Sequence, residues 1–157
     1  MQKTPTALRP LIEDIKQELQ GDLETKKLSF DISFSAEADA ALPNIDPRLM
    51  KEALFNILDN AVKYTKAGGI TVKGEKHGTA LRLTFHDTGI GMTKEELDKC
   101  LSSAFERGEE AKTLYATGRG IGLMLSKNIV EAHGGTLTAS SEGRGRGTEM
   151  VVEMRVG

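Results

Sequence analysis

The spacing of apolar positions changes several times along this chain, and each change predicts an element. Leu8, Leu11, Ile12, Ile15 and Leu19 share one stripe at helical spacing, so residues 8–19 read as an amphipathic helix packed on a core. Leu28, Phe30, Ile32 and Phe34 alternate with Ser29, Asp31 and Ser33, the period of a half-buried strand. The loop 42–47 ends in Asp46 as a helix N-cap, with Pro47 at the first helical position. That helix, buried through Ala53, Leu54, Ile57, Leu58, Ala61 and Val62, runs to about Thr65 and stops at Ala67-Gly68-Gly69. Ile70–Glu75 and Thr79–His86 predict a hairpin turning near His77-Gly78. Thr93 and Glu96 have the spacing of a capping box that opens a helix to about Leu101. Residues 106–119 have no period and read as loop. Ile121, Leu125, Ile129 and Val130 stripe a helix that ends at His133-Gly134-Gly135, and strands 136–140 and 148–156 follow across the turn 142–147.

Helices and strands are mixed, and the strands come partly as adjacent pairs. The order predicts an α+β fold: a two-layer α/β sandwich whose mixed, mostly antiparallel sheet is covered on one face by about three helices.

Composition narrows the class. A chain of 157 residues is one domain in size and builds a core without metal or disulfide staples. With no Trp and 4% aromatics, that core is made of Leu, Ile, Val, Ala and Met. The balance of 21 basic and 23 acidic residues gives no general pull toward nucleic acid or an anionic membrane. A single cysteine, Cys100, forms no internal disulfide and suits a reducing compartment. No stretch is long and apolar enough to span a membrane and no signal peptide opens the chain, so the expected location is cytoplasmic, with any membrane anchor elsewhere in a parent protein. The 17 glycines avoid residues 22–67 entirely, then arrive in pairs and triplets, which marks tight turns or close approach of backbone to a ligand.

Three segments carry candidate chemistry. Asn56, Asn60 and Lys63 lie four and three residues apart, on one face of the long helix, with Glu52 a turn earlier. Amide oxygens suit a partly hydrated Mg²⁺, and Lys63 suits a phosphate; a solvated polar face explains the same residues. Asp87 ends a strand and enters the turn Thr88-Gly89-Ile90-Gly91. There a carboxylate can accept from an exocyclic amine such as adenine's while the glycines let backbone crowd the ring, and an Asx turn needs the same residue types. Gly118-Arg119-Gly120-Ile121-Gly122 runs into a helix beginning at Leu123, an arrangement that presents backbone N–H groups to phosphate. It matches neither the Walker nor the dinucleotide glycine pattern.

Together these segments resemble the catalytic, ATP-binding domain of sensor histidine kinases, within the superfamily of gyrases, heat-shock chaperones and mismatch-repair ATPases. Residues 56–65 resemble its N box, 87–92 and 118–123 its two glycine boxes, and 131–135 with 145–148 its later landmarks, so the likeness spans about Leu8 to Val156. The resemblance implies ATP and Mg²⁺ as cofactors. Asn60 is then the metal ligand, Asn56 orients the γ-phosphate end, Lys63 contacts phosphate, and Tyr64 neighbours the adenine. Asp87 takes the adenine N6 amine, with Gly89, Ile90 and Gly91 shaping that end and Thr148 nearby. Gly118 through Leu123 hold the triphosphate, Arg107 reaches the γ-phosphate, and 106–117 form an ATP lid loop. Arg119 departs from the small residue usual at its place, and of the family's two-Phe segment only Phe105 is kept.

Hydrolysing members of that superfamily carry a Glu one turn before the metal-binding Asn. Here the place holds Asn56, which implies a pocket that holds ATP without activating water. A complete kinase also has a dimerisation domain bearing a phosphoacceptor His. His77, His86 and His133 all read as structural, with His133 at a helix C-terminus where an imidazole suits the dipole. Residues 1–20 are therefore expected to be a lead-in helix from a missing dimerisation domain, and 21–157 the catalytic domain. The expected partners are that histidine-containing domain in cis and, indirectly, a response regulator, with no nucleic-acid or membrane contact. A stand-alone nucleotide-binding regulator of the same fold, like anti-sigma-factor serine kinases, is the alternative. A gyrase-type ATPase is disfavoured by Asn56.

Overall fold

The structure is a computed structural model that describes residues 1–100 and 120–156, with backbone alone at 99, 100 and 120–122. A short strand β1 (Thr4–Pro5) leads into helix α1 (Arg9–Glu18), where Ile12 and Ile15 are buried with the flanking Leu8 and Leu19. Helix α2 (Gln20–Lys26) follows at once. Periodicity missed it because Leu23 is its one apolar residue, and that residue is buried. Strand β2 (Ser29–Phe34) has the expected alternation. Helix α3 (Ala36–Ala40), also unforeseen, is one turn held by the Ser35 hydroxyl, which accepts from the Ala38 N–H at 3.1 Å. Strand β3 (Asn44–Ile45) pairs antiparallel with β1.

The long helix α4 (Pro47–Lys63) is capped as expected: Asp46 Oδ1 accepts from Arg48 N and Leu49 N at 3.1 and 3.2 Å. At its other end Lys26 Nζ donates to the Val62 and Lys63 carbonyls at 2.8 and 3.0 Å, satisfying oxygens that the helix cannot. Strands β4 (Gly69–His77) and β5 (Ala80–Asp87) form the predicted hairpin across Gly78-Thr79, with Gly78 at φ +61°. Helix α5 (Lys94–Cys100) opens on a reciprocal capping box, Thr93 N to Glu96 Oε1 at 2.9 Å and Glu96 N to Thr93 Oγ1 at 3.2 Å. Helix α6 (Gly120–Ala132) and strands β6 (Thr136–Ser140) and β7 (Thr148–Arg155) complete the described chain.

The main sheet has the order β2-β4-β5-β7-β6, with β2 parallel to β4 and the other pairings antiparallel. A parallel pair needs a crossover, and here the crossover carries α4. That connection lays α4 on the sheet beside α1 and α6. Ile70, Val72, Leu83, Phe85, Val152 and Met154 meet the buried stripes of those helices in one core, while Lys73, Glu75, Arg82 and Glu149 stay exposed. This is the two-layer α+β sandwich expected from the sequence. Two helix ends differ from expectation: α4 stops at Lys63 rather than Thr65, and α6 starts at Gly120, so Gly120, Ile121 and Gly122 are its first turn rather than a preceding loop. The expected end of α5 at Leu101 and the loop 106–117 lie outside the described residues.

Candidate functional site

Helix α4 turns its apolar residues into the core and keeps Asn56 and Asn60 half-buried at the margin. Neither amide has a hydrogen-bond partner among the described residues. Lys63 is 57% exposed and pairs with Asp59 at 3.0 Å; the Asp59 carboxylate raises the ammonium's pKa. Such an exposed pair within one helix is weak. At the far end of α4, His133 does more than face a helix dipole. Its Nδ1 donates to the Ile129 carbonyl at 2.7 Å and its Nε2 accepts from the Asp46 N–H at 3.1 Å, so the imidazole ties the end of α6 to the start of α4. The Ser126 hydroxyl, buried between the same two helices, donates to the Ala53 carbonyl at 2.7 Å.

Asp87 closes β5 directly opposite Thr148, the first residue of β7. The two are far apart in sequence, and the antiparallel register makes them neighbours. Asp87 Oδ1 accepts from the Gly89 N–H at 2.8 Å, the Asx turn that the residue types allowed. The chain then doubles back under the end of α4, where the Ile90 N–H donates to the Tyr64 carbonyl at 3.0 Å. A β-carbon on Gly89 would lie 2.4 Å from that carbonyl oxygen, and one on Gly91 (φ +71°) would lie 2.1 Å from the Gly143 carbonyl oxygen. Both glycines therefore meet packed backbone first, a requirement independent of any ligand.

The β6–β7 turn holds this segment from the other side. Gly145 N and Gly147 N donate to the carbonyls of Ile90 and Gly89 at 2.6 and 3.1 Å. The Ser141 hydroxyl accepts from Met92 N at 3.1 Å and donates to the Gly147 carbonyl at 2.6 Å. Arg144 reaches Glu96 at 3.1 Å. Between the two holds opens a cleft lined by Ile57, Asn60, Ala61 and Tyr64 of α4 and its cap, Phe85 and Asp87 of β5, Met92, Leu123 of α6, and Thr148 and Met150 of β7.

The model of the histidine kinase-, DNA gyrase B- and HSP90-like ATPase family matches residues 45–157. This chain belongs to that family. Among its curated relatives, it is 33% identical to the non-motile and phage-resistance protein of Caulobacter vibrioides, over 94% of this chain and 18% of that one. It is 34% identical to the adaptive-response sensory kinase SasA of Synechococcus sp. (strain JA-3-3Ab), over 87% of this chain and 35% of that one. The chain thus spans well under half the length of these relatives. Its fold is that of the catalytic domain of histidine kinase ThkA in a nucleotide-free form, with a TM-score of 0.81 at 21% identity, covering 99% of this chain and 97% of that one.

In this domain the cleft gathers Asn60, Tyr64, Asp87, Leu123 and Thr148 from the sequence-derived candidates. Asn56 and Lys63 stand along α4 outside the cleft lining, Gly89 and Gly91 are buried outside it as well, and Ile90, also outside it, is 36% exposed. Gly120, Ile121 and Gly122 begin α6, while Arg107, Gly118 and Arg119 lie outside the described residues. Sequence reasoning missed the apolar walls Phe85, Met92 and Met150, although the strand alternation pointed Phe85 and Met150 inward. It also missed Ser141, whose role depends on a partner 49 residues away.

Proposed function

We propose that this domain binds Mg-ATP in the cleft and passes the γ-phosphoryl group to a histidine on a separate dimerisation domain of its parent protein, as a sensor kinase acting through a response regulator. The observation that carries this reading is the convergence of Asn60, Asp87 and Thr148, from three elements, on one cleft with apolar walls. Ile57, Ala61, Phe85 and Met150 offer flat apolar contact to a purine, and Asp87 accepts from its 6-amino group with Thr148 beside it. Asn60 presents an amide without a protein partner among the described residues, a hard neutral oxygen that fits Mg²⁺ sharing its shell with water and phosphate. When bound, that ion supplies charge neutralisation on the phosphate oxygens. Asn56, one turn earlier, orients the terminal phosphate, and Lys63 leaves Asp59 for a phosphate oxygen. Because an amide is no base near neutral pH, Asn56 activates no water, and Glu52 is exposed a full turn beyond it. Catalysis is then positioning and charge neutralisation. Membership in this ATPase family and likeness to a sensory kinase support the reading.

Isothermal titration with a non-hydrolysable ATP analogue and Mg²⁺ tests it. Asn60→Asp and Asp87→Asn are each expected to weaken binding about tenfold or more while the circular dichroism stays unchanged. Unchanged affinity in both variants sinks the proposal. Steady-state hydrolysis that disappears in Glu52→Ala would move the assignment to the hydrolysing branch of the family.

A further inference from the structure

Thr65 is 0% exposed, and its Oγ1 is the one buried side-chain polar atom among the described residues with no hydrogen-bond partner. Buried hydroxyls elsewhere in the core are matched, as Ser126 is by the Ala53 carbonyl. A hydroxyl kept where valine has the same shape calls for a reason. Its surroundings supply one. The point where a β-carbon of Gly89 would stand is 2.8 Å from Asp87 Oδ1, 2.9 Å from Thr65 Oγ1 and 2.4 Å from the Tyr64 carbonyl oxygen. A carboxylate, a hydroxyl and a carbonyl thus converge beside a residue that has no side chain. The unpartnered hydroxyl is the one donor of the three, and Thr65 and Asp87 lie within the span of one bridging water.

We propose that Thr65 is a positioning residue for Asp87, acting through one buried water. The Thr65 hydroxyl donates to the water, and the water donates to Asp87 Oδ1 and to the Tyr64 carbonyl. With the Gly89 N–H already on Oδ1 at 2.8 Å, the carboxylate is held against rotation and turns its second oxygen to the cleft. Thr65 itself does not line the cleft, so it touches no ligand. The inference rests on the reading that Asp87 receives the 6-amino group of adenine.

The experiment measures binding of Mg²⁺ with a non-hydrolysable ATP analogue, and with the same analogue built on purine riboside, which lacks the 6-amino group. The proteins are wild type, Thr65→Val, Thr65→Ser, Asp87→Asn and the double variant Thr65→Val with Asp87→Asn. Thr65→Val is expected to weaken binding of the adenine analogue about five- to tenfold, with no loss of melting temperature. Thr65→Ser restores the affinity. Thr65→Val leaves the purine-riboside affinity unchanged and adds nothing in the Asp87→Asn background. Thr65→Ala, run alongside, is expected to behave as Thr65→Val, which separates loss of the hydroxyl from any misfit of valine. If Asp87→Asn weakens binding but neither Thr65→Val nor Thr65→Ala does, the role of Thr65 is wrong and the cleft assignment stands. An equal loss from Thr65→Val in both backgrounds also overturns positioning through Asp87. If Asp87→Asn itself binds like wild type, the cleft assignment is what fails.

Discussion

A methyl group on Gly89 would come within 2.4 Å of the Tyr64 carbonyl oxygen, while one on Gly21 in α2 meets nothing within 4 Å. The two glycines look alike in the sequence and have opposite reasons. At Gly89 something rigid must move, because the obstacle is backbone. Gly89→Ala is expected to destabilise the fold by about 1–3 kcal/mol and to weaken nucleotide binding, since Asp87 hangs on the Gly89 N–H. Gly21→Ala sits in an open helical position and is expected to stabilise by about 0.5–1 kcal/mol. Urea unfolding of both variants checks the pair, and equal effects would show that the packing at Gly89 is not the constraint. At this scale the candidate residues were legible because amide, carboxylate and ammonium groups announce their chemistry. The reason for the glycines was not, because the carbonyls they avoid belong to Tyr64 and Gly143, which only folding brings near.

Elements show the same division. The box at Thr93, the cap at Asp46 and the turn at Gly78 were read correctly because each is local chemistry within a few residues. Helix α2 and the one-turn α3 were not, because they are too short and too polar to show a period. The turn between β6 and β7 was legible as a turn and nothing more. Its role as a clasp comes from Ser141, whose one hydroxyl joins Met92 N, Gly143 N and the Gly147 carbonyl. Removing that hydroxyl takes away the acceptor that Ser141 offers to the Met92 N–H. Ser141→Ala is expected to cost about 1–3 kcal/mol and to speed amide exchange at Met92 well beyond the global change. Protection at Met92 that merely follows the melting temperature would show that the turn does not hold the cleft wall.

Across the whole molecule, the N-terminal residues are stitched to the start of α4. The Asp46 carboxyl is held below its ordinary value of 3.8, first by the Gln2 N–H, then by Leu49 and Arg48, against the opposing effect of burial. A carboxyl whose folded pKa is lowered stabilises the fold fully above its unfolded value, and that contribution is lost as pH falls through the folded value. Gln2→Pro deletes the first of these donors. The acid midpoint, followed by circular dichroism, is therefore expected to move to higher pH, and adding Asp46→Asn should erase the difference between the Gln2→Pro variant and the parent chain. An unmoved midpoint would show that this stitch carries no weight. The layered architecture itself was legible at this scale, since helical and strand periods in the order found leave few ways to bury both faces. The small β1–β3 pair was not, because strands of two residues have no period.

Taken alone, the order of residues determined the longer elements, the layer arrangement and the chemical types that line the candidate site, because period, capping and side-chain chemistry act over one or two turns of chain. Tertiary structure decided which of those groups meet. Strand register set Asp87 beside Thr148, the crossover laid α4 against both, and close packing placed Thr65 behind Asp87. Register and packing are settled by contacts between residues tens of positions apart, and no local window of sequence contains them.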